Sequence, residues 1–375
     1  MNLRIIPIYL ILPLLLSSCW KEEGDNIPMN PDRTILFYLA GDNGLGDETQ
    51  EKIDALADAW NVGGNNHLLV YQDGGGEYTP RLLAIKSGSD GKGTVDVLEE
   101  YGDENSASTV VFVRVLNDMV RHCPGSDYGL VVFSHGSGWL PTGTFAQPRS
   151  VVTDGDTELN LIDFARVIPN GQFRFIVFES CLMAGVEVAY ELKDKTSHIL
   201  ASSAEILSPG FTPLYGTMLE RLYQTTPDLT GFAREYYDYC NLLSGDSRSA
   251  TVSVIRTAGL SPLKSLLARA ESHVEHWEWV ERDGIQHFDR RAEDYLFYDL
   301  EGYIRAIGTQ EDVNELAGIL ERSIVYQAAT EEFMSGDAYG FPIRRHCGLT
   351  IYIPVAKFKE LNTQRKRLLL FSENQ

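Results

Sequence analysis

The sequence is short of several things, and each shortage removes a class of function. Cysteine is scarce, five in 375 residues, too few and too widely spread for a disulfide framework. No CxxC pair and no closely spaced Cys/His cluster occurs, which argues against a structural zinc site. No glycine-rich stretch carries a Walker lysine or a GxGxxG pattern, so the Gly74-Gly75-Gly76 trio after a strand-like run reads as a turn and not as a phosphate cradle. Positive charge is in deficit: 32 Lys and Arg stand against 53 Asp and Glu, for a net charge of −21. Such a chain lacks the electrostatic footprint of a nucleic-acid binder. Beyond the amino terminus there is no apolar run long enough to span a bilayer.

What is present begins with a targeting pattern. Arg4 supplies a positive start, and Ile5 to Leu16 an apolar stretch too short for a spanning helix. The stretch ends in Leu16-Ser17-Ser18-Cys19, which is similar to a bacterial lipobox. Residues 1–18 are thus expected to be a lipoprotein signal peptide, with Cys19 lipidated and residues 19–32, polar with two prolines, a tether. The expected location is the cell envelope, lipid-anchored to the outer membrane on its periplasmic or cell-surface side. Four cysteines then remain: Cys123, Cys181, Cys240 and Cys347.

The whole chain is 43% hydrophobic, enough for a large core. Short β-branched and aromatic runs at Thr34–Leu39, His67–Gln72, Tyr128–Phe133, Phe175–Phe178 and His198–Ser202 read as strands. Helical spacing lies between several of them: Glu48 to Trp60, Ser108 to Arg121 with Ser108 as a cap, and a segment from about Leu161. Strands alternating with helices predict an α/β fold with a mostly parallel sheet. Further strands are expected at Thr251–Arg256 and at Gly348–Pro354, the latter at a sheet edge, and Pro141 to Asn160 is read as a polar loop.

Phe173 to Leu192 organises the rest. A buried strand runs into Glu179-Ser180-Cys181, and helical spacing resumes from Leu182. Cys181 would then stand between strand and helix, at the carboxyl edge of the sheet, where open α/β folds bind ligands and a helix dipole favours a thiolate. Alone it reads more readily as a core cysteine. His135-Gly136 follows another strand and lies 46 residues earlier. Neighbouring parallel strands would bring both to one edge, the minimum for acyl transfer by a thiolate beside an imidazole, and the Gly136 and Cys181 amides would be open to a developing oxyanion.

At these residues the chain resembles the clostripain-like cysteine peptidases of the caspase and gingipain group. The resemblance rests on Ser134-His-Gly-Ser-Gly-Trp139, on Glu179-Ser-Cys-Leu-Met-Ala-Gly185 with its following helix, on Ala40-Gly-Asp-Asn43 and on Gly348–Pro354. It implies a caspase-like three-layer sandwich over residues 33–225, with a helical C-terminal region over 226–375 that contributes additional strands. It implies a catalytic dyad of His135 and Cys181, and cleavage after Arg or Lys through an acidic pocket, for which Glu179 and Glu205 are the candidates. Several relatives activate themselves in the loop between His and Cys, which points to Arg149. Some relatives need calcium, yet Asp154-Gly-Asp156-Thr-Glu158 lacks the full EF-hand pattern, so no metal or other cofactor is expected. Protein or peptide substrates, the membrane through the lipid anchor, and a monomeric state complete the expectation. Two alternatives stay open: a non-catalytic binding module on the same fold, and a cysteine hydrolase acting on non-protein amides.

Overall fold

A computed structural model describes residues 33–88, 91–125, 127–141, 150–291 and 294–372. The expected signal peptide, Cys19, the expected tether and Arg149 lie outside the described residues. In chain order the first half comprises β1 (Arg33–Ala40), α1 (Gly46–Ala59), β2 (His67–Asp73), β3 (Arg81–Ser87), β4 (Gly93–Glu100), α2 (Thr109–His122), β5 (Asp127–Phe133), β6 (Val152–Asp154), β7 (Thr157–Leu159), α3 (Leu161–Val167) and β8 (Phe173–Glu179). There follow α4 (Val186–Glu191), β9 (Thr196–Ala201), α5 (Tyr215–Leu222), α6 (Leu229–Leu242), β10 (Thr251–Arg256), α7 (Leu263–Glu271), β11 (Tyr298–Asp299), α8 (Leu300–Ile307), α9 (Gln310–Ser323) and β12 (Ile324–Ala329).

Nine strands form one sheet in the order β12-β10-β9-β8-β5-β1-β2-β3-β4. The central five, β9, β8, β5, β1 and β2, are parallel, and two antiparallel strands flank them on each side. Alternation along each central strand divides the core in two. Leu36, Tyr38, Leu130, Val132, Ile176 and Phe178 face one side, against α2, α3, α4 and the later helices. Phe37, Val131, Phe175 and Val177 face the other, against α1, α5 and α6. The α/β three-layer architecture is thus the one expected, and β10 and β12 show the C-terminal region adding strands to the sheet. Strands covered on both faces are read as continuous apolar runs, which explains why β1, β5 and β8 were legible. Ser108 caps α2 as expected, its hydroxyl accepting from the Val110 amide at 3.2 Å.

Three expectations need correction. The helix after Cys181 starts only at Val186 and has six residues, because Cys181 to Ala184 is pulled into backbone hydrogen bonds with the neighbouring loop (Leu182 N to Ala204 O and Ala184 N to Ser202 O, both 2.9 Å). Cys181 therefore does not sit at a helix start. The stretch 348–354 does not join the sheet: only Thr350 and Ile351 pair, with β11, in a separate two-stranded ribbon. Within the loop read at Pro141 to Asn160, β6 and β7 form a small hairpin that turns at Gly155.

Candidate active site

Parallel pairing of β5 with β8 sets Phe133 opposite Glu179. Two residues further along each strand come His135 and Cys181, so the register alone delivers both to the same point of the carboxyl edge. They are also the residues there that reach solvent: His135 is half-buried while 130–134 and 136–140 are buried, and Cys181 is half-buried while Glu179 and Ser180 are buried. The other three thiols among the described residues, Cys123, Cys240 and Cys347, are all buried. Burial pushes the Cys240 thiol up to about 11 and that of Cys347 well above its usual range.

The two strand ends are packed backbone to backbone. A Cβ on Gly136 would stand 2.6 Å from the Cys181 carbonyl oxygen and 2.9 Å from the Ser180 Cβ, distances real side chains do not tolerate. Gly138, at φ +65°, comes equally close to Leu182, whose carbonyl oxygen lies 2.8 Å from its would-be Cβ. Leu182 itself is left-handed at φ +63°, a conformation that costs a branched residue about 1–3 kcal/mol and persists only where neighbours over-determine it. Here the hydrogen bond to Ala204 does so. From below, Asn43 of the loop after β1 donates to Ser134 Oγ (3.2 Å) and to Thr153 O (2.8 Å), and Thr153 N donates to Ser134 Oγ (3.1 Å). The residue before the histidine is thereby tied to β1 and to the β6–β7 hairpin.

His135 and Cys181 open into a cavity of about 270 Å³ whose lining includes Glu48, Glu179, Glu205, Ile206, Gly210 and Arg290. Both acids predicted from the sequence are here, yet neither is open. Glu179 is buried and accepts from Lys52 Nζ (2.7 Å) and the Phe211 amide (2.6 Å) through Oε1, and from the Tyr215 hydroxyl (2.7 Å) through Oε2. Lys52 is buried as deeply, donates also to Thr212 Oγ1 (2.8 Å), and lies over the Phe133 ring. Glu179 therefore does not present the free carboxylate expected of a substrate-binding acid, because its charge is already matched. Glu205 is engaged as well: Arg290 Nε donates to its Oε2 at 2.7 Å and the same guanidinium reaches Asp337 at 3.3 Å. Lys52, Arg290 and Glu48 were not singled out from the sequence. For Glu48 and Lys52 a signal existed, their i,i+4 spacing at the amino-terminal end of α1. For Arg290 there was none.

Among the described residues no group of three or more His, Cys, Asp or Glu is disposed to hold a metal ion. Asp154 is committed to Ser106, whose amide (2.6 Å) and hydroxyl (3.1 Å) both donate to it. Nor, among the described residues, is any helix long and apolar enough to cross a membrane.

The family model of the clostripain peptidases, C11, matches residues 37–337. The chain belongs to the clostripain family. Its fold agrees with an inactive zymogen C11 protease from Parabacteroides distasonis at 29% identity and a TM-score of 0.79, with 92% of this chain and 98% of that one covered. It agrees also with a secreted C11 cysteine protease from Bacteroides thetaiotaomicron, solved with an irreversible peptide inhibitor, at 25% identity and a TM-score of 0.78, covering 91% and 98%. No curated protein matches. This clostripain-family member is a cysteine peptidase, and its substrates are proteins or peptides.

Proposed function

We propose that this peptidase cleaves peptide bonds through a Cys181–His135 dyad, on the carboxyl side of basic residues. The observation that carries the reading is the shared register of the two residues on adjacent parallel strands, both reaching into one carboxylate-lined cavity. In the reaction so assigned, the Cys181 sulfur attacks the scissile carbonyl and forms a tetrahedral oxyanion held by the Gly136 and Cys181 amides. His135 gives a proton to the leaving amine as the C–N bond breaks, leaving a thioester. Water then attacks the thioester, releasing the acid and restoring the thiol. No step calls for a metal.

The same reading extends to location and activation. Lipidation at Cys19 would hold the catalytic domain at the outer membrane, a placement supported by the lipobox-like sequence and by the secreted relative. Cleavage after Arg149, between the two dyad residues in sequence, would be the activating step, supported by the zymogen form of the other relative.

The test is hydrolysis of fluorogenic peptides ending in Arg, Lys, Ala and Asp by the soluble protein from Asp25 onward, beside Cys181→Ala. Turnover after Arg or Lys that vanishes in the variant is the expected result. Turnover of Cys181→Ala near that of the wild type would refute the dyad, and turnover confined to Ala or Asp peptides would discard the basic preference.

A further inference from the structure

Three glutamates line the cavity beside Cys181, and the structure distinguishes them by what each already holds. Glu179 has both oxygens occupied, one by the Lys52 ammonium. Glu205 is paired with Arg290. Glu48, on the first turn of α1, has no hydrogen bond or ion pair among the described residues and is half-buried at the cavity wall. Lys52 lies one helical turn further along the same face, the usual spacing for a Glu–Lys pair, yet its ammonium is drawn inward to Glu179 and Thr212. Glu48 and Glu179 line the same cavity. After internal pairing, the cavity's acids leave one carboxylate with its acceptors open.

We propose that Glu48 is the residue that binds the basic P1 side chain, and that Glu179 and Glu205 are structural neighbours of that site. The inference rests on the dyad and basic-preference reading above. An incoming Lys or Arg meets an unpaired carboxylate in Glu48 without displacing a buried internal cation, whereas recruiting Glu179 would strand Lys52 and recruiting Glu205 would expel Arg290. A charge-assisted hydrogen bond in such a partly desolvated wall corresponds to about a 10- to 100-fold preference over an uncharged isostere.

The experiment compares alkylation of Cys181 in the full chain by peptidyl chloromethyl ketones that end in lysine or in norleucine, which keeps the length and loses the charge. Wild type is expected to react faster with the lysine reagent by about 10- to 100-fold. Glu48→Gln should bring that ratio close to one, with an unfolding temperature equal to the wild type's certifying the fold; Glu48→Asp should restore part of the ratio. Removing the Glu205–Arg290 pair together, as Glu205→Gln with Arg290→Met, should keep it. A Glu48→Gln protein that retains the wild-type ratio, a Glu205→Gln/Arg290→Met protein that loses it, or a wild type indifferent to the charge would each overturn the assignment. Failure of both reagents to label Cys181 at all would instead overturn the dyad on which it rests.

Discussion

The Lys52–Glu179 pair makes a quantitative prediction about what lies beneath Cys181. Lys52→Met removes the ammonium but leaves Glu179 buried, with the Phe211 amide and Tyr215 hydroxyl as its remaining donors. Breaking a buried pair by removing one partner costs about 3–5 kcal/mol, because the surviving charge is uncompensated. The two retained hydrogen bonds place this case toward the lower end, and loss of the Thr212 contact adds little. Adding Glu179→Gln to Lys52→Met removes the stranded charge while keeping an acceptor for the Phe211 amide, so the double variant should be more stable than Lys52→Met alone by at least about 1 kcal/mol. Urea unfolding followed by tryptophan fluorescence reads both differences, provided the m-values stay constant. If Lys52→Met lies within experimental error of the wild type, or the double variant shows the plain sum of the two single losses, then the pair is not a closed unit and the reasoning about Glu179 fails.

Other predictions concern the loops around the dyad and the buried acids. Gly136→Ala places a methyl against the Cys181 carbonyl and amide, atoms that cannot yield locally; a shift of order 1 Å at the dyad should lower kcat by about 100-fold, with the unfolding temperature reporting whether the fold survives. Arg290→Ala should release Glu205 into the cavity and raise the discrimination in favour of lysine over norleucine by about 3- to 10-fold, measured in the same alkylation assay. Glu187 of α4 is fully buried, and burial pushes its carboxyl up to about 7. A folded-state value above the unfolded one means that the folded protein binds more protons between about pH 4.5 and 7, so this residue's contribution to stability falls as pH rises through that window. Glu187→Gln should remove that decline, worth roughly 3 kcal/mol at about 1.4 kcal/mol per pK unit, as read from urea midpoints of both proteins between pH 4.5 and 8; parallel pH profiles would refute it.

The fold was legible wherever burial on both faces wrote a continuous apolar run. Arg33–Ala40, Asp127–Phe133 and Phe173–Glu179 are strands of that kind, and their alternation with helical spacing determined the parallel sheet. The edges were not legible for the same reason. Gly93–Glu100 is an exposed edge strand with polar residues on half of its positions, and Ile324–Ala329 mixes half-buried and exposed residues with none buried, so neither carries the buried run that marks a central strand. The apolar periodicity after Cys181 was real but misread: Leu182, Met183 and Ala184 are buried, held by a strained turn and by cross-loop hydrogen bonds and not by a helix. Periodicity reports burial, and assigns an element only when no tertiary hydrogen bond competes for the backbone.

The site divides along a different line. That His135, Gly136 and Cys181 come together was legible because their positions follow from strand ends, and strand ends are local. The acids were found only as residue types. A carboxylate's availability depends on the cations that fold against it, and those come from far away: Lys52 lies 127 residues before Glu179 and Arg290 lies 85 residues after Glu205. Counting acids near a nucleophile therefore overstates its attraction for a basic side chain. In a chain of net charge −21 carboxylates are abundant, and the scarce partners are the cations. Where the fold spends a lysine or an arginine inside the cavity, it matches the charge of one acid, and in the specificity we propose it is the carboxylate left over that does the recognising.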